Sequence, residues 1–186
     1  VYIPLAHWVF SPEGWLAKLG LQDFAGGTVV EINSGFSTLA IVLVLGRRRG
    51  WPGEAMAPHS VPLSLLGVGI LWFGWFGFNA GSSLSMNSVA VSAFIATQAA
   101  AAAGLVGWLI YERATESYPT TLGAASGAVA GMVAITPCAG YVTPLAALLI
   151  GSLAGVVCAV AVRMKFKLRY DDSLDAFGVH GIGGIW

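Results

Sequence analysis

The sequence predicts an all-α polytopic membrane protein, and its composition and the placement of its charges support this prediction. Hydrophobic residues make up 56% of the chain and charged residues only 10%, whereas soluble domains carry about 25% charged residues. The mean hydropathy is strongly positive at +0.77. The remaining charges lie in clusters between apolar runs, and a run of about 20 apolar residues is long enough to cross a bilayer as a helix. We therefore predict one transmembrane domain over residues 1–186.

Several other classes of protein do not fit this composition. The formal net charge is zero, so nothing indicates nucleic-acid binding. The two cysteines, Cys138 and Cys158, have no metal-ligand spacing and are expected to be free thiols in apolar helices. The chain opens on Val1 without an initiator methionine or a basic signal-peptide region, and it ends at Trp186 inside an apolar segment. We therefore expect the interior of a longer polypeptide.

The apolar runs predict six membrane spans in chain order. Residues 1–10 are expected to end a helix, and residues 11–22 to form a polar loop. The spans are predicted at about 24–46, 61–80, 88–111, 120–136, 144–162 and from about 175 onwards. Charged or proline-containing segments connect them, including a loop at 47–60, a charged turn at 112–119 and a basic loop that begins at residue 163.

The basic residues predict the orientation of the spans. The loops after spans one, three and five contain all the lysines and arginines except Lys18, namely Arg47, Arg48, Arg49, Arg113, Arg163, Lys165, Lys167 and Arg169. Positively charged loops remain on the cytoplasmic side. This places Asp23 at the outer end of its span, with Glu31 about 12 Å deeper.

Small residues predict close helix packing. Glycine recurs every fourth residue at Gly123, Gly127 and Gly131 and again at Gly151 and Gly155. Such spacing allows the backbones of membrane helices to approach each other. The Gly26-Gly27 pair lacks the lysine of a phosphate-binding loop, so close helix contact is the preferred interpretation for it as well.

Two ionisable residues inside apolar spans, Glu31 and His180, suggest the chemistry. A charge within a membrane span is costly to bury and indicates a functional site. We predict a hydrogen-bonded pair in a narrow lumen that handles protons, because imidazole titrates near neutral pH and burial raises the pKa of a carboxylate towards that range. Two ligands without a third make a poor zinc site. No hydrolase motif and no cofactor-binding motif is present, so we predict neither an enzyme nor a cofactor.

Aromatic and acidic residues near the span ends complete the candidate site. Trp75 and Phe78 share one helix face and Ser82 follows one turn later. These rings are either ordinary core or a cage that attracts a small cation. Asp23 precedes its helix as an N-cap would, and it is compatible with ordering an outer vestibule. Asp175 has the same two interpretations at the start of the last span, on the opposite side.

Four sequence blocks, in order along the chain, carry a resemblance to a known family. They are Asp23-Phe24-Ala25-Gly26-Gly27-Thr28-Val29-Val30, Trp75-Phe76-Gly77-Phe78-Asn79-Ala80-Gly81-Ser82, Thr136-Pro137-Cys138-Ala139-Gly140-Tyr141, and Asp171 to Asp175 together with Phe177-Gly178-Val179-His180-Gly181. The chain resembles the ammonium transporter (Amt/Mep/Rh) family, of Amt/Mep type. The resemblance implies a homotrimer whose subunits each have a pore and eleven spans with an inverted repeat, of which this chain covers the end of span 4 to the start of span 10.

The resemblance also implies roles for individual residues. Asp23, Trp75 and Ser82 match an outer site that recruits and deprotonates ammonium, in which Phe10 replaces a tryptophan, and Phe78 matches the inner gate. His180 matches the second of two pore histidines, whereas Glu31 replaces the first, as in some fungal members. Structural support is assigned to residues within or beside the matching blocks: Gly26, Gly27, Asn79, Thr136 and Asp175.

The function implied is ammonium transport across the plasma or inner membrane by a multi-pass protein. Ammonium would lose its proton near Phe78, ammonia would cross the lumen, and Glu31 and His180 would relay the proton. The expected partners are ammonium or methylammonium, the lipid bilayer, two further subunits and a cytoplasmic regulatory protein. A sensor of the same fold that signals to a cytoplasmic module is the alternative, and an Rh-like gas channel is a weaker one.

Overall fold

The computed structural model describes residues 1–54 and 56–186, which form helices joined by turns and loops. In chain order the helices are α1 (Tyr2–Phe10), α2 (Trp15–Lys18), α3 (a π-helical turn at Gly27–Ile32 that continues as an α-helix over Asn33–Leu45), α4 (Val61–Gly81), α5 (Ser88–Thr115), α6 (Thr121–Ile135), α7 (Pro144–Leu168) and α8 (a π-helical turn at Phe177–Gly181 that continues over Ile182–Ile185).

Four of these helices, α3, α4, α5 and α7, are long and apolar enough to cross a membrane by length and composition. α6 is shorter, with 15 residues, as its early stop at Pro137 predicts. Serine, asparagine or threonine caps the N-termini of α4, α5, α6 and α7 by accepting from a backbone N–H: Ser60, Asn87, Thr120 and Thr143.

Three predicted boundaries were wrong. α5 continues to Thr115, so Glu112 lies in a helix and not in a turn. α7 continues to Leu168, because lysine and arginine are good helix formers and long enough to keep their charges in water while the backbone remains helical. The predicted polar loop at 11–22 contains the short helix α2.

Glu112 explains why the charged segment remains ordered. Its side chain is buried and accepts from the indole Nε1 of Trp108 at 3.2 Å and from the backbone N and hydroxyl of Thr120 at 2.6 and 2.9 Å. The carboxylate therefore joins the end of α5 to the start of α6. A buried carboxylate requires such donors to offset its lost hydration.

The core forms where α5, α6 and α7 meet through small residues. A Cβ added to Gly127 would lie 2.6 Å from both the carbonyl oxygen of Gly104 and the Cβ of Trp108, and one added to Gly131 would lie 3.1 Å from the Cα of Ala101. Gly151 and Gly155 of α7 contact the backbone of the same face of α5. The predicted packing by regularly spaced glycines is confirmed.

Polar contacts gather the predicted cytoplasmic segments on one side of the bundle. The loop after α3 is joined to the segment after α7 by Arg48, whose side chain pairs with Asp171 at 2.7 Å. Arg163 of α7 pairs with Glu116 just beyond α5. At the opposite end, the backbone N of Phe24 donates to the carbonyl of Pro137 at 2.9 Å. The segments that carry the positive charges therefore share one end of the bundle.

Candidate functional site

The predicted pair of Glu31 and His180 forms a direct contact. Nδ1 of His180 lies 2.6 Å from Oε2 of Glu31, although 149 residues separate the two in sequence. The Glu31 residue is only 2% exposed, whereas the His180 side chain is 27% exposed. Whether Nδ1 of His180 donates or accepts in this hydrogen bond depends on the histidine tautomer.

Both residues lie in π-helical turns, Glu31 in the first turn of α3 and His180 in the first turn of α8. The helices cross closely where Gly35 packs on the backbone of Gly181. Gly184 packs against the other side of Glu31, since a Cβ there would lie 3.0 Å from the Glu31 Cβ. The absence of side chains at these glycines brings the two helices near enough for the pair to form.

The Asp23 carboxylate holds the first turn of α3. It accepts from the backbone N–H groups of Gly26, Gly27 and Thr28 at 2.7–2.8 Å, and from that of Val29 at 3.4 Å. The backbone of Gly26 is left-handed, with φ of 115°, which favours glycine. A Cβ on Gly27 would lie 2.6 Å from Pro137. The structure thus shows Asp23 as a cap and the glycine pair as a close contact.

Asp172, which the sequence reasoning missed, caps the first turn of α8. Its carboxylate accepts from the backbone N–H groups of Ala176 and Phe177 at 3.1 and 2.8 Å. The predicted cap at Asp175 was wrong, because Asp175 turns away in a left-handed conformation and pairs with Lys165 instead. A sequence signal for Asp172 exists: the spacing from Asp172 to His180 equals that from Asp23 to Glu31.

A cavity of about 640 Å³ contains the pair. Its lining is mainly hydrocarbon, and it consists of Val30, Glu31, Ser34, Ile70, Leu71, Gly74, Trp75, Phe78, Ala176 and His180. The cavity lies where the first turns of α3 and α8 face α4. Such a lining disfavours hydrated ions and accepts small neutral molecules.

The aromatic residues of α4 lie at different depths. Trp75 and Phe78 meet edge to face with ring centres 5.8 Å apart, and both line the cavity. Trp75 lies seven positions before Ser82 in α4, about 10 Å along the helix axis. Trp75 therefore shares the cavity wall with Glu31 and His180. The Ser82 hydroxyl donates to the carbonyl of Phe78 at 2.8 Å.

Buried hydroxyls fix the wall behind the rings. The Trp75 indole donates to Oγ1 of Thr136 at 3.0 Å, and Thr136 itself donates to the carbonyl of Met132. Asn79 is fully buried and donates to Oγ1 of Thr97 at 3.0 Å. Thr136 and Asn79, for which a supporting role was predicted, both form buried hydrogen bonds. Thr97 was not singled out from the sequence, where it lies in an alanine-rich run without a distinguishing pattern.

Phe10, the remaining predicted site residue, ends α1 and is 49% exposed. It is not part of the cavity lining described above. A second cavity, of about 610 Å³, lies on the inner side beside Arg48, Trp51 and Lys165. Both cations in its wall are already paired, Arg48 with Asp171 and Lys165 with Asp175, so the lumen cavity is the better candidate site.

Comparisons with known proteins agree with this geometry. The sequence model of the Ammonium Transporter Family matches residues 1–186. An ammonium transporter of Bacillus subtilis (strain 168) is 54% identical over 187 residues, which are 100% of this chain and 46% of that protein. The crystal structure of Saccharomyces cerevisiae Mep2 matches with a TM-score of 0.91 and 42% identity over 99% of this chain and 42% of that chain.

A sensor Amt protein also matches, with a TM-score of 0.87 and 35% identity over 98% of this chain and 49% of that chain. In each of these comparisons the chain spans less than half the length of the relative. The matches cover the cavity, both π-helical turns and the connecting loops, because almost every residue of the chain is aligned.

Proposed function

Because the chain belongs to the ammonium transporter family, whose sequence model matches it over residues 1–186, we propose that it forms part of the pore of an ammonium transporter in the plasma or inner membrane. The observation that carries this proposal is the 2.6 Å contact between Glu31 and His180 in a cavity lined mainly by hydrocarbon. Relatives named as ammonium transporters support it.

Ammonium is recruited at the outer end of α3 and α4. Asp23 supports recruitment by holding the first turn of α3, since its oxygens are occupied by backbone N–H groups. Trp75, Ser82 and Phe10 belong to the recruitment site, and Trp75 also lines the cavity that contains Glu31 and His180. Cation–π attraction to the faces of the aromatic rings stabilises ammonium before it enters the cavity.

Deprotonation takes place near Phe78. Transferring an intact cation from water into a hydrocarbon-lined cavity costs far more than transferring a neutral amine. Ammonia therefore crosses the lumen past Glu31 and His180, and the proton travels separately along that pair. A short hydrogen bond between a carboxylate and an imidazole is suited to this step, because either group can hold the proton.

The test is the variant Glu31→Gln in the full-length protein, reconstituted in proteoliposomes and exposed to ammonium pulses. Glutamine preserves the shape and a hydrogen bond to His180 but cannot release a proton, so the ammonium-evoked current is expected to disappear. The control is Glu13→Gln, which alters an exposed carboxylate on the outer side and is expected to leave the current unchanged. Equal currents in wild type and Glu31→Gln would contradict the relay.

The match to a sensor Amt protein favours a second candidate function. In that case the same cavity binds ammonium and the protein signals to a cytoplasmic module without conducting. Ammonium binding by wild-type protein without any evoked current would support the sensor. We further propose a homotrimer that also accepts methylammonium and binds a cytoplasmic regulatory protein.

A further inference from the structure

Ser34 adds a third polar side chain to the cavity wall beside Glu31 and His180. It belongs to α3 and lines the same cavity. It lies three positions after Glu31, towards the predicted cytoplasmic end of α3, a rise of about 4.5 Å. Ile70, Leu71 and Ala176, which line the same cavity, have no polar side chain.

The hydrogen bond of Ser34 determines what it presents to the cavity. Its hydroxyl donates to the backbone carbonyl of Glu31 at 2.9 Å. A hydroxyl has one proton and two acceptor lone pairs, so the proton is already used. Ser34 Oγ is therefore available to the cavity only as an acceptor. Helix α4 contributes the Trp75 indole N–H to this wall, and that group already donates to Thr136.

We propose that Ser34 Oγ is a binding subsite that accepts an N–H from the neutral amine after it leaves the Glu31–His180 pair. The inference rests on the proposed function and identifies a further position along the same path. Ammonia has three N–H groups to donate, and a lumen lined mainly by hydrocarbon offers few acceptors for them. One neutral hydrogen bond to Ser34 lowers the energy of the amine in a cavity whose lining is mainly hydrocarbon.

The physical alternative is that Ser34 only bonds its own helix. Serine hydroxyls commonly bond a carbonyl of the preceding turn. Ser37, whose hydroxyl also bonds an atom of the preceding turn, is a control on the same helix. Its hydroxyl donates to Oδ1 of Asn33 at 3.3 Å, and Ser37 is not part of the described cavity wall. A purely helical role predicts the same behaviour for both serines, whereas a subsite predicts a difference.

The experiment compares Ser34→Ala, Ser34→Thr and Ser37→Ala in the full-length protein in proteoliposomes, with ammonium and methylammonium as separate substrates. Alanine is a better helix former than serine, so Ser34→Ala is expected to fold. We expect its ammonium-evoked current to fall about threefold to tenfold, the value of one net neutral hydrogen bond. Methylammonium should lose less, because its methyl group can face the new alanine.

Ser34→Thr preserves the acceptor and should retain the wild-type ratio of ammonium to methylammonium current. Ser37→Ala should also retain the wild-type ratio. Ser34→Ala with wild-type currents for both substrates would overturn the subsite alone, as would equal losses in Ser34→Ala and Ser37→Ala. Absence of ammonium current in wild type itself would overturn the transport function together with the subsite.

Discussion

Two aspartates, Asp23 and Asp172, accept from free N–H groups at the starts of α3 and α8. Each of these helices begins with a π-helical turn. Asp23 precedes Glu31 by the same spacing as Asp172 precedes His180, and the two aspartates are almost fully buried, at 8% and 2% exposure. Helix N-termini leave donors without intrahelical partners, and a carboxylate also favours the positive end of the helix dipole. The two caps therefore set the position of Glu31 and His180 from opposite ends of the bundle.

The Asp23 cap accepts more hydrogen bonds than the Asp172 cap, so we predict that its loss destabilises the protein more. Asp23→Ala removes four acceptor contacts, whereas Asp172→Ala removes two. We expect Asp23→Ala to lower the free energy of unfolding by about 2 kcal/mol and Asp172→Ala by about 1 kcal/mol. Thermal unfolding of the full-length protein in one detergent measures both. A larger loss for Asp172→Ala would contradict the count of bonds.

At the scale of helices, α5 is the element on which α6 and α7 pack. Its buried face consists mainly of alanine and glycine, and Ala93, Ala96, Ala100 and Ala101 have no exposed surface. Membrane helices gain little from removing apolar surface from lipid, so close backbone contact between small residues supplies the attraction. The repeated glycines of α6 and α7 complete that contact.

Gly127→Ala tests this packing, with Gly69→Ala as the matched control. An added Cβ at Gly127 would lie 2.6 Å from the carbonyl oxygen of Gly104, whereas nothing lies within 4 Å of one at Gly69 of α4. Alanine gains about 1 kcal/mol over glycine in a helix interior. We expect Gly69→Ala to raise the melting temperature or leave it unchanged, and Gly127→Ala to lower it.

Melting curves of the two variants in the same detergent test whether the contact at Gly127 limits stability. The comparison is matched because both variants add one methyl group to a helix. If Gly127→Ala melts at or above the temperature of Gly69→Ala, the close approach of α5 and α6 is not limiting for stability.

At the scale of the whole molecule, one ion pair joins segments that are distant in sequence. Arg48, in the loop after α3, contacts Asp171, just before α8, through its backbone N, Nε and Nη2 at 2.7–2.8 Å. The Asp171 side chain is fully buried and that of Arg48 is 44% exposed. The hydrogen bonds from Arg48 lower the pKa of Asp171 below its ordinary value. The ion pair between Arg48 and Asp171 therefore joins the segment that follows α3 to the segment that precedes α8.

This lowered pKa predicts a pH dependence. A group whose pKa is lower in the folded than in the unfolded protein stabilises the fold above the unfolded pKa, about 3.9 for aspartate. That stabilisation is lost as the pH falls through the folded pKa. We expect Asp171→Asn to cost about 1 kcal/mol at neutral pH, a modest value because water screens the exposed Arg48.

Melting temperatures measured from pH 8 downwards check the prediction. The difference between wild type and Asp171→Asn should be constant at neutral pH and shrink below about pH 4. A difference that grows as the pH falls would show that Asp171 does not carry the charge.

Much of the fold follows from local sequence. Apolar run length predicts the helices α3, α4, α5 and α7, and the clusters of basic residues predict which loops share a side. The ends of α5 and α7 were missed because propensity allows a charged helix to continue beyond the membrane, and only the contacts of Glu112 and Lys165 determine where each helix stops.

The candidate site divides in the same way. By itself the sequence determined that Glu31 and His180 are ionisable groups within apolar helices, because hydropathy and charge are properties of short segments. Only the tertiary structure decided that they touch, that Trp75 lies beside them and that Asp172 rather than Asp175 caps α8. Depth and pairing depend on how helices far apart in sequence pack, and that packing is set by contacts such as Gly35 on Gly181, which no local pattern specifies.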